Sequence, residues 1–207
     1  MLISKKKPIG KRQLQAANTK NNIMLAAISL FASHGFEKVT IEDITQKAGT
    51  SKGSFYSHFK SKYDVVLERF ADLNSANYEF YEKAQQKNEP FEQLLTYLQC
   101  TTDYSMNELG LDFTKVVYIS QINDSSSANR FFLDESRPIF NLLDKIIKNG
   151  QKKGVFRKEV SSQAMVRLYI RLLRVVTYEW CMCDGRFNLT RESQKLFVEA
   201  FDMIKTH

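Results

Sequence analysis

Proline and glycine are scarce in this 207-residue chain, at 3 and 8 residues, and no segment shows the alternation of a β-strand. With so few breakers the chain reads as helix after helix, punctuated by the glycines and prolines it has. Cysteine is also scarce. Cys100, Cys181 and Cys183 are an odd number without zinc-ligand spacing, and the 3 histidines lie far apart in sequence. That leaves no metal site in view and reads as reduced, partly buried thiols. A redox switch at Cys181 or Cys183 would need a basic or helix-start context to lower a thiol pKa, and neither has one. No apolar run approaches the roughly 20 residues of a membrane span. The basic start MLISKKKPIGKRQ lacks the apolar segment of a signal peptide. These absences predict a cytoplasmic protein with no membrane partner. Internal repeats, low-complexity tracts, a phosphate loop, a nucleophile-base pair and a metal-ligand cluster are missing too, so neither an enzyme nor a cofactor is expected.

What is present is a core and an uneven charge. Hydrophobic residues make up 43% of the chain and aromatics 12%, ample for packed domains. The net charge of +7 is not spread evenly. Residues 1–62 hold 11 Lys and Arg against 3 acidic residues, whereas residues 63–207 hold 19 against 20. The whole basic excess lies on one side of residue 62, an electrostatic footprint for a polyanion.

That basic side contains TIEDITQKAGTSKGSFYSHFKSK at 40–62, which reads as two short helices joined by a tight turn at Ala48-Gly49-Thr50-Ser51, with a third helix starting at Lys62. Thr40 is placed to cap the first helix, with Glu42 and Asp43 against its positive end, and Ile41, Ile44 and Ala48 share a buried face. Ser51 is placed to cap the second helix, where Phe55 and Phe59 at i and i+4 pack against the first. Gly53 and Ser57 then point the opposite way, flanked by Lys52, Ser54, Tyr56 and His58. Such a face of small residues, hydroxyls, a lysine, a phenol and an imidazole suits a helix entering the DNA major groove. Ser61 and Asp64 form a capping-box-like pair at the third helix.

Residues 1–19 are polar and hold Lys5, Lys6, Lys7, Lys11 and Arg12. They read as a flexible basic arm, either a solubilising leader or a contact to phosphates or the minor groove. From Lys20, Ile23, Ala27, Leu30 and Phe31 give an amphipathic helix ending at His34-Gly35. Residues 20–62 are thus a three-helix helix-turn-helix domain. Residues 63–207 are a helical domain, with helices predicted near 62–87, 90–109, 112–123, 131–152, 161–184 and 190–206. The fold class is all-α with about nine helices.

F-A-S-H-G-F followed by V-T-I-E-D-I-T-Q-K-A-G-T-S-K-G-S-F-Y-S-H-F-K-S-K-Y-D-V-V-L closely resembles the TetR family of bacterial transcriptional regulators, through T-x-x-x-I-x-x-x-A-G, S-K-G-x-x-Y-x-x-F and K-x-x-x-x-L. The resemblance implies an Ω-shaped homodimer on a palindromic double-stranded DNA operator, acting as a repressor that a small-molecule effector releases. Carried over by position, Thr40, Lys52, Tyr56 and Lys62 are phosphate contacts. Thr50, Ser51, Gly53, Ser54, Ser57 and His58 are base-reading or base-proximal.

K-K-G-V-F-R at 152–157 and Y-E-W-C-M-C-D-G-R-F-N-L at 178–189 match less sharply; in relatives they flank the helices of a four-helix dimer interface. Here Met165, Leu168, Leu172 and Val176 line one helix and Phe197, Ala200, Phe201 and Ile204 the other, facing either a partner or the subunit's own core. An effector pocket is implied in the same domain, with Tyr104, Phe113, Tyr118 and Phe140 as aromatic candidates for a flat or greasy compound. Arg167, Arg171, Arg174 and Tyr178 fall at i, i+4, i+7 and i+11 on an otherwise apolar helix. This stripe is either a solvated, salt-bridged face or a grip on an anionic effector through Arg171, Arg174 and Tyr178. A rival keeps the DNA binding but replaces the small molecule by a protein partner; a helical adaptor on acidic proteins or membranes is a more distant alternative.

Overall fold

The computed structural model of the chain describes residues 10–123 and 131–202. Among these residues there are nine α-helices and no strand: α1 Lys11–His34, α2 Ile41–Lys47, α3 Lys52–His58, α4 Lys62–Gln85, α5 Pro90–Tyr104, α6 Gly110–Asn123, α7 Pro138–Lys152, α8 Ser162–Met182 and α9 Leu189–Asp202. A π-helical segment, Ser105–Leu109, bridges α5 and α6, and a 3-10 turn, Phe131–Leu133, precedes α7. No helix among the described residues is long and apolar enough to cross a membrane.

Two compact units divide between Leu67 and Glu68, inside α4 rather than at residue 62. In the first unit Ile23, Ala27 and Phe31 of α1 close on Phe36, Val39, Ile44, Phe55 and Phe59, all buried. Phe36 holds the junction, with ring centroids 4.8 Å from both Phe31 and Tyr63. The helix α1 starts nine residues before the predicted Lys20. KRQLQAAN is made of good helix formers and Gly10 supplies a start, so propensity extends the helix through residues with little to bury. Lys11 and Arg12 therefore sit on α1, while Lys5, Lys6 and Lys7 lie outside the described residues.

The second unit packs α5, α7, α8 and α9 around Tyr97, Tyr169, Phe197 and Phe201. The Tyr169 ring lies 4.5 Å from Phe197, and Phe197 stacks on Phe201 at 5.7 Å. This corrects the predicted dimer faces. Met165, Val176, Phe197 and Phe201 are buried within the chain itself, Leu168 and Leu172 are half-buried, and Ile204 lies outside the described residues. The reason is that α8 is apolar most of the way round, so its inner stripe and an outer one are indistinguishable by spacing alone.

The predicted punctuation appears at Pro90 and Pro138, each in the first helical turn. Helix 131–152 is broken before Pro138, because a residue preceding proline avoids helical backbone: Arg137 sits at φ −61°, ψ 145°. At the end of α8 the predicted stop at Gly185 is left-handed, φ 71°, and so is Asp184 just ahead of it, φ 51°.

Candidate nucleic-acid interface and ligand cavity

In the head, Thr40 caps α2 reciprocally. Its hydroxyl accepts from Asp43 N–H at 3.1 Å, while Asp43 Oδ2 accepts from Thr40 N–H at 2.8 Å and from its hydroxyl at 2.7 Å. These bonds hold the Asp43 carboxyl below its ordinary range. The turn then closes as a paired C-cap: Gly49 N–H donates to Gln46 O at 3.2 Å and Thr50 N–H to Thr45 O at 3.0 Å. Gly49 takes the left-handed φ of 64° that this geometry demands. Ser51 Oγ accepts from Ser54 N–H at 3.1 Å and starts α3.

Phe55 is buried and Phe59 lies 5.8 Å from it, which turns Lys52, Gly53, Tyr56 and Ser57 outward. Tyr56 is 50% exposed, with its ring edge-on to Phe55 at 5.6 Å. Ser54 and His58 are half-buried on the flanks, and Ser57 Oγ donates to Ser54 O at 2.7 Å. Thr50 is half-buried while Thr40 and Ser51 are exposed at the mouths of α2 and α3. The Lys52 ammonium is ion-paired with Glu42, raising the lysine pKa and lowering the glutamate's through their shared hydrogen bond.

Lys62 is placed differently from the outward phosphate grip expected of it. Its ammonium donates to Phe36 O and Val39 O, each at 2.8 Å, and lies 4.8 Å over the Phe36 ring. Desolvation there lowers its pKa. It ties the start of α4 to the segment between α1 and α2. The predicted capping pair behind it is present, with Asp64 Oδ2 accepting from Ser61 N–H at 2.9 Å and Lys60 N–H at 2.7 Å.

The second unit has a partly open cavity of about 70 Å³ between α4, α5, α6, α7 and α8, lined by Phe70, Leu73, Asn77, Thr101, Ser105, Leu109, Thr114, Val117, Tyr118, Phe132, Arg137, Ile139, Ile170, Leu173, Arg174 and Thr177. Of the predicted effector residues, Tyr118 and Arg174 are on this wall. Phe113 is core, Tyr104 packs on Phe80 at 5.7 Å, and Arg171 and Tyr178 are exposed. Phe140 and Arg171 line a shallow groove beside the cavity, with Arg167 held 3.7 Å from Glu135. So the arginine stripe splits into a salt-bridged, solvated part and one residue, Arg174, that turns inward.

Sequence reasoning missed Arg137. It is 8% exposed, with its guanidinium 4.7 Å over Phe70 and Nε donating to Asn74 Oδ1 at 3.2 Å. Burial, helped by the charge of Arg174, pulls its pKa down to about 10. The available signal was a cation at the N-cap of a strongly amphipathic helix, where the helix dipole disfavours positive charge. Burial pushes the Cys181 thiol up to about 11 and raises that of Cys100, away from a reactive thiolate.

Residues 23–68 match the family profile described as bacterial regulatory proteins, tetR family, and residues 78–200 match the one described as YsiA-like protein, C-terminal region. The chain is 30% identical over 193 residues to the probable acrEF/envCD operon repressor of Escherichia coli (strain K12), covering 91% of this chain and 88% of that one. Among solved structures, the fatty acid degradation regulator FadR from Bacillus halodurans superposes with a TM-score of 0.72 at 20% identity, over 94% of this chain and 96% of that one. Thermus thermophilus FadR, a transcriptional repressor solved in complex with lauroyl-CoA, gives 0.64 at 23% identity, over 87% and 91%. The two structural matches establish a shared fold.

Proposed function

The chain belongs to the TetR family of bacterial regulatory proteins, and on that premise we propose that it is a cytoplasmic transcriptional repressor that binds a palindromic operator as a homodimer and is released by a small-molecule effector. The observation that carries DNA reading is Gly53. A Cβ there would find nothing nearer than Ser51 Oγ at 3.9 Å, so no neighbour among the described residues requires glycine. Glycine inside a helix costs about 0.5–1 kcal/mol relative to alanine. Its presence on the outward face of α3, between Lys52 and Ser54, fits a surface that another molecule approaches to within backbone distance. A duplex major groove is such a partner for a short helix carrying hydroxyls and a phenol.

In this reading Thr40, Lys52 and Tyr56 grip phosphates, while Thr50, Ser51, Ser54, Ser57 and His58 lie at or near base edges. Lys62 acts as a positioning residue, fixing the helix that enters the second unit. That helix, α4, also supplies Phe70, Leu73 and Asn77 to the cavity wall. A ligand favouring a different setting of α4 would shift the spacing of two recognition helices, by an amount limited to its differential affinity for the two states. The cavity and the lauroyl-CoA complex of the Thermus relative support a small molecule over a protein partner.

The outer stripe of α8 supports the homodimer. Leu168, Leu172, Val175, Glu179 and Met182 recur at a coiled-coil spacing, with Val175 and Met182 among the most exposed apolar residues of the helix. The test is Gly53→Ala, read against a duplex selected from a random library. We expect a twofold-symmetric preferred site, unchanged or raised thermal stability in the variant, and a loss of affinity for that site of at least about tenfold, the scale of one specific contact. A variant that binds as tightly as the parent, or a library that yields no preferred duplex, would overturn the reading.

A further inference from the structure

The cavity in the second unit has walls whose hydroxyl donors are already used. Thr101 Oγ1 donates to Tyr97 O at 2.9 Å, Ser105 Oγ to Thr101 O at 2.9 Å, Thr114 Oγ1 to Gly110 O at 2.8 Å and Thr177 Oγ1 to Leu173 O at 2.7 Å. The phenol of Tyr118 donates to Arg174 O at 2.9 Å. A hydroxyl with its proton committed offers only lone pairs to a guest. Asn77 is held at both ends, its Nδ2 on Leu73 O at 2.8 Å and its Oδ1 accepting from the Tyr97 phenol. The rest of the lining is aliphatic and aromatic.

Two guanidinium groups are the exception. Arg137 uses Nε on Asn74 and makes a long contact, 3.4 Å, from Nη1 to Phe131 O. Arg174 donates to Phe132 O and lies 5.2 Å from that ring. A guanidinium has five N–H groups in a planar fork, so donors remain on both. Among the described residues neither forms a salt bridge. The acidic group that acts on Arg137, Asp134, is exposed and accepts from Ser136 N–H at 2.9 Å. Two like charges drawn out of water beside one apolar cavity, without a carboxylate between them, are destabilising unless something anionic joins them.

We infer that the cavity takes a small organic acid: a compact apolar body against Phe70, Leu73, Val117 and Ile170, and a carboxylate bridged by Arg137 and Arg174. This rests on the proposed ligand-released repressor and specifies its effector chemistry. A space of about 70 Å³ holds several waters' worth of volume, one water needing roughly 10–15 Å³ by the same measure, which gives room for a compact body beside the arginines. A guanidinium pair matches a carboxylate bidentately, and the largely apolar walls strengthen the contact. An alcohol of the same length would leave both guanidinium forks without a counter-charge, although its proton could find a lone pair on the wall. A bulky nucleotide thioester would carry its charges outside the cavity and leave both arginines unpaired.

The experiment is calorimetric titration of the full chain, without DNA, with octanoate, 1-octanol and octanoyl-CoA. Octanoate is expected to bind at least about tenfold tighter than 1-octanol, the worth of a charge-assisted hydrogen bond, and tighter than octanoyl-CoA. Arg137→Gln and, independently, Arg174→Gln should each reduce the octanoate preference toward parity, with helical circular dichroism confirming that both variants fold. Equal binding of octanol, tighter binding of octanoyl-CoA, no binding of octanoate, or a preference that survives in both variants would overturn the inference. Release of a bound duplex is read separately by fluorescence anisotropy. Octanoate that binds without releasing DNA would overturn the release mechanism and leave the acid site standing.

Discussion

At Gly150 a Cβ would sit 2.3 Å from Cδ2 of Phe156 and 3.0 Å from Cβ of Pro90. Phe156 is fully buried, so its ring has nowhere to retreat. Gly150→Ala should therefore destabilise the second unit by about 1–3 kcal/mol, the cost of overpacking a core, visible as a lower urea midpoint. An unchanged midpoint would mean the ring can swing aside. Gly53 is the opposite case, where a Cβ would meet only Ser51 Oγ, at an ordinary 3.9 Å, among the described residues. The motif K-K-G-V-F-R showed a turn in sequence, yet the glycine that matters most for packing lies just before it, because only the folded chain brings Phe156 back over α7. Arg137 was hidden for a related reason: an arginine before a proline has no periodicity, and its burial is created by Phe70 and Phe131 from elsewhere in the chain.

Helix ends and turns were the most legible elements. The Thr40, Ser51 and Ser61 starts and the Gly35 and Gly49 stops depend on neighbours within a few residues, and each appears where the chemistry of its own segment puts it. The α2 cap carries a pH consequence. Because Asp43 is held below its ordinary pKa, chiefly by Thr40 N–H and then its hydroxyl, its contribution is complete above the unfolded value and is lost as pH falls through the lower, folded one. Asp43→Ala should thus lower the melting temperature at neutral pH, with the gap to the parent closing on acidification below about pH 4. A gap that stays constant into strong acid would show that the carboxylate's charge is not what caps the helix. The long helix α8 was legible as a helix but not as to its faces, since apolar residues surround most of it and only packing selected Met165, Tyr169 and Val176 for the interior.

For the whole molecule, the proposed homodimer rests on the outer stripe of α8. Val175→Glu should shift the protein toward monomer in sedimentation equilibrium and weaken operator binding at least about tenfold, with little effect on the monomer's helical content, since that side chain is half exposed. A dimer that persists would move the interface elsewhere. Composition, charge and local spacing by themselves determined that the chain is all-helical, that a basic head bears a helix-turn-helix, and that α3 presents small polar side chains outward. These follow from interactions within a few residues or from sums over long segments. Tertiary structure alone decided that Lys62 fastens α4 within the head, that Phe197 and Phe201 belong to the chain's own core, and that Arg137 and Arg174 share a cavity. Such outcomes depend on residues tens of positions apart meeting in space, and helical periodicity carries no record of which of two apolar faces will find a neighbour.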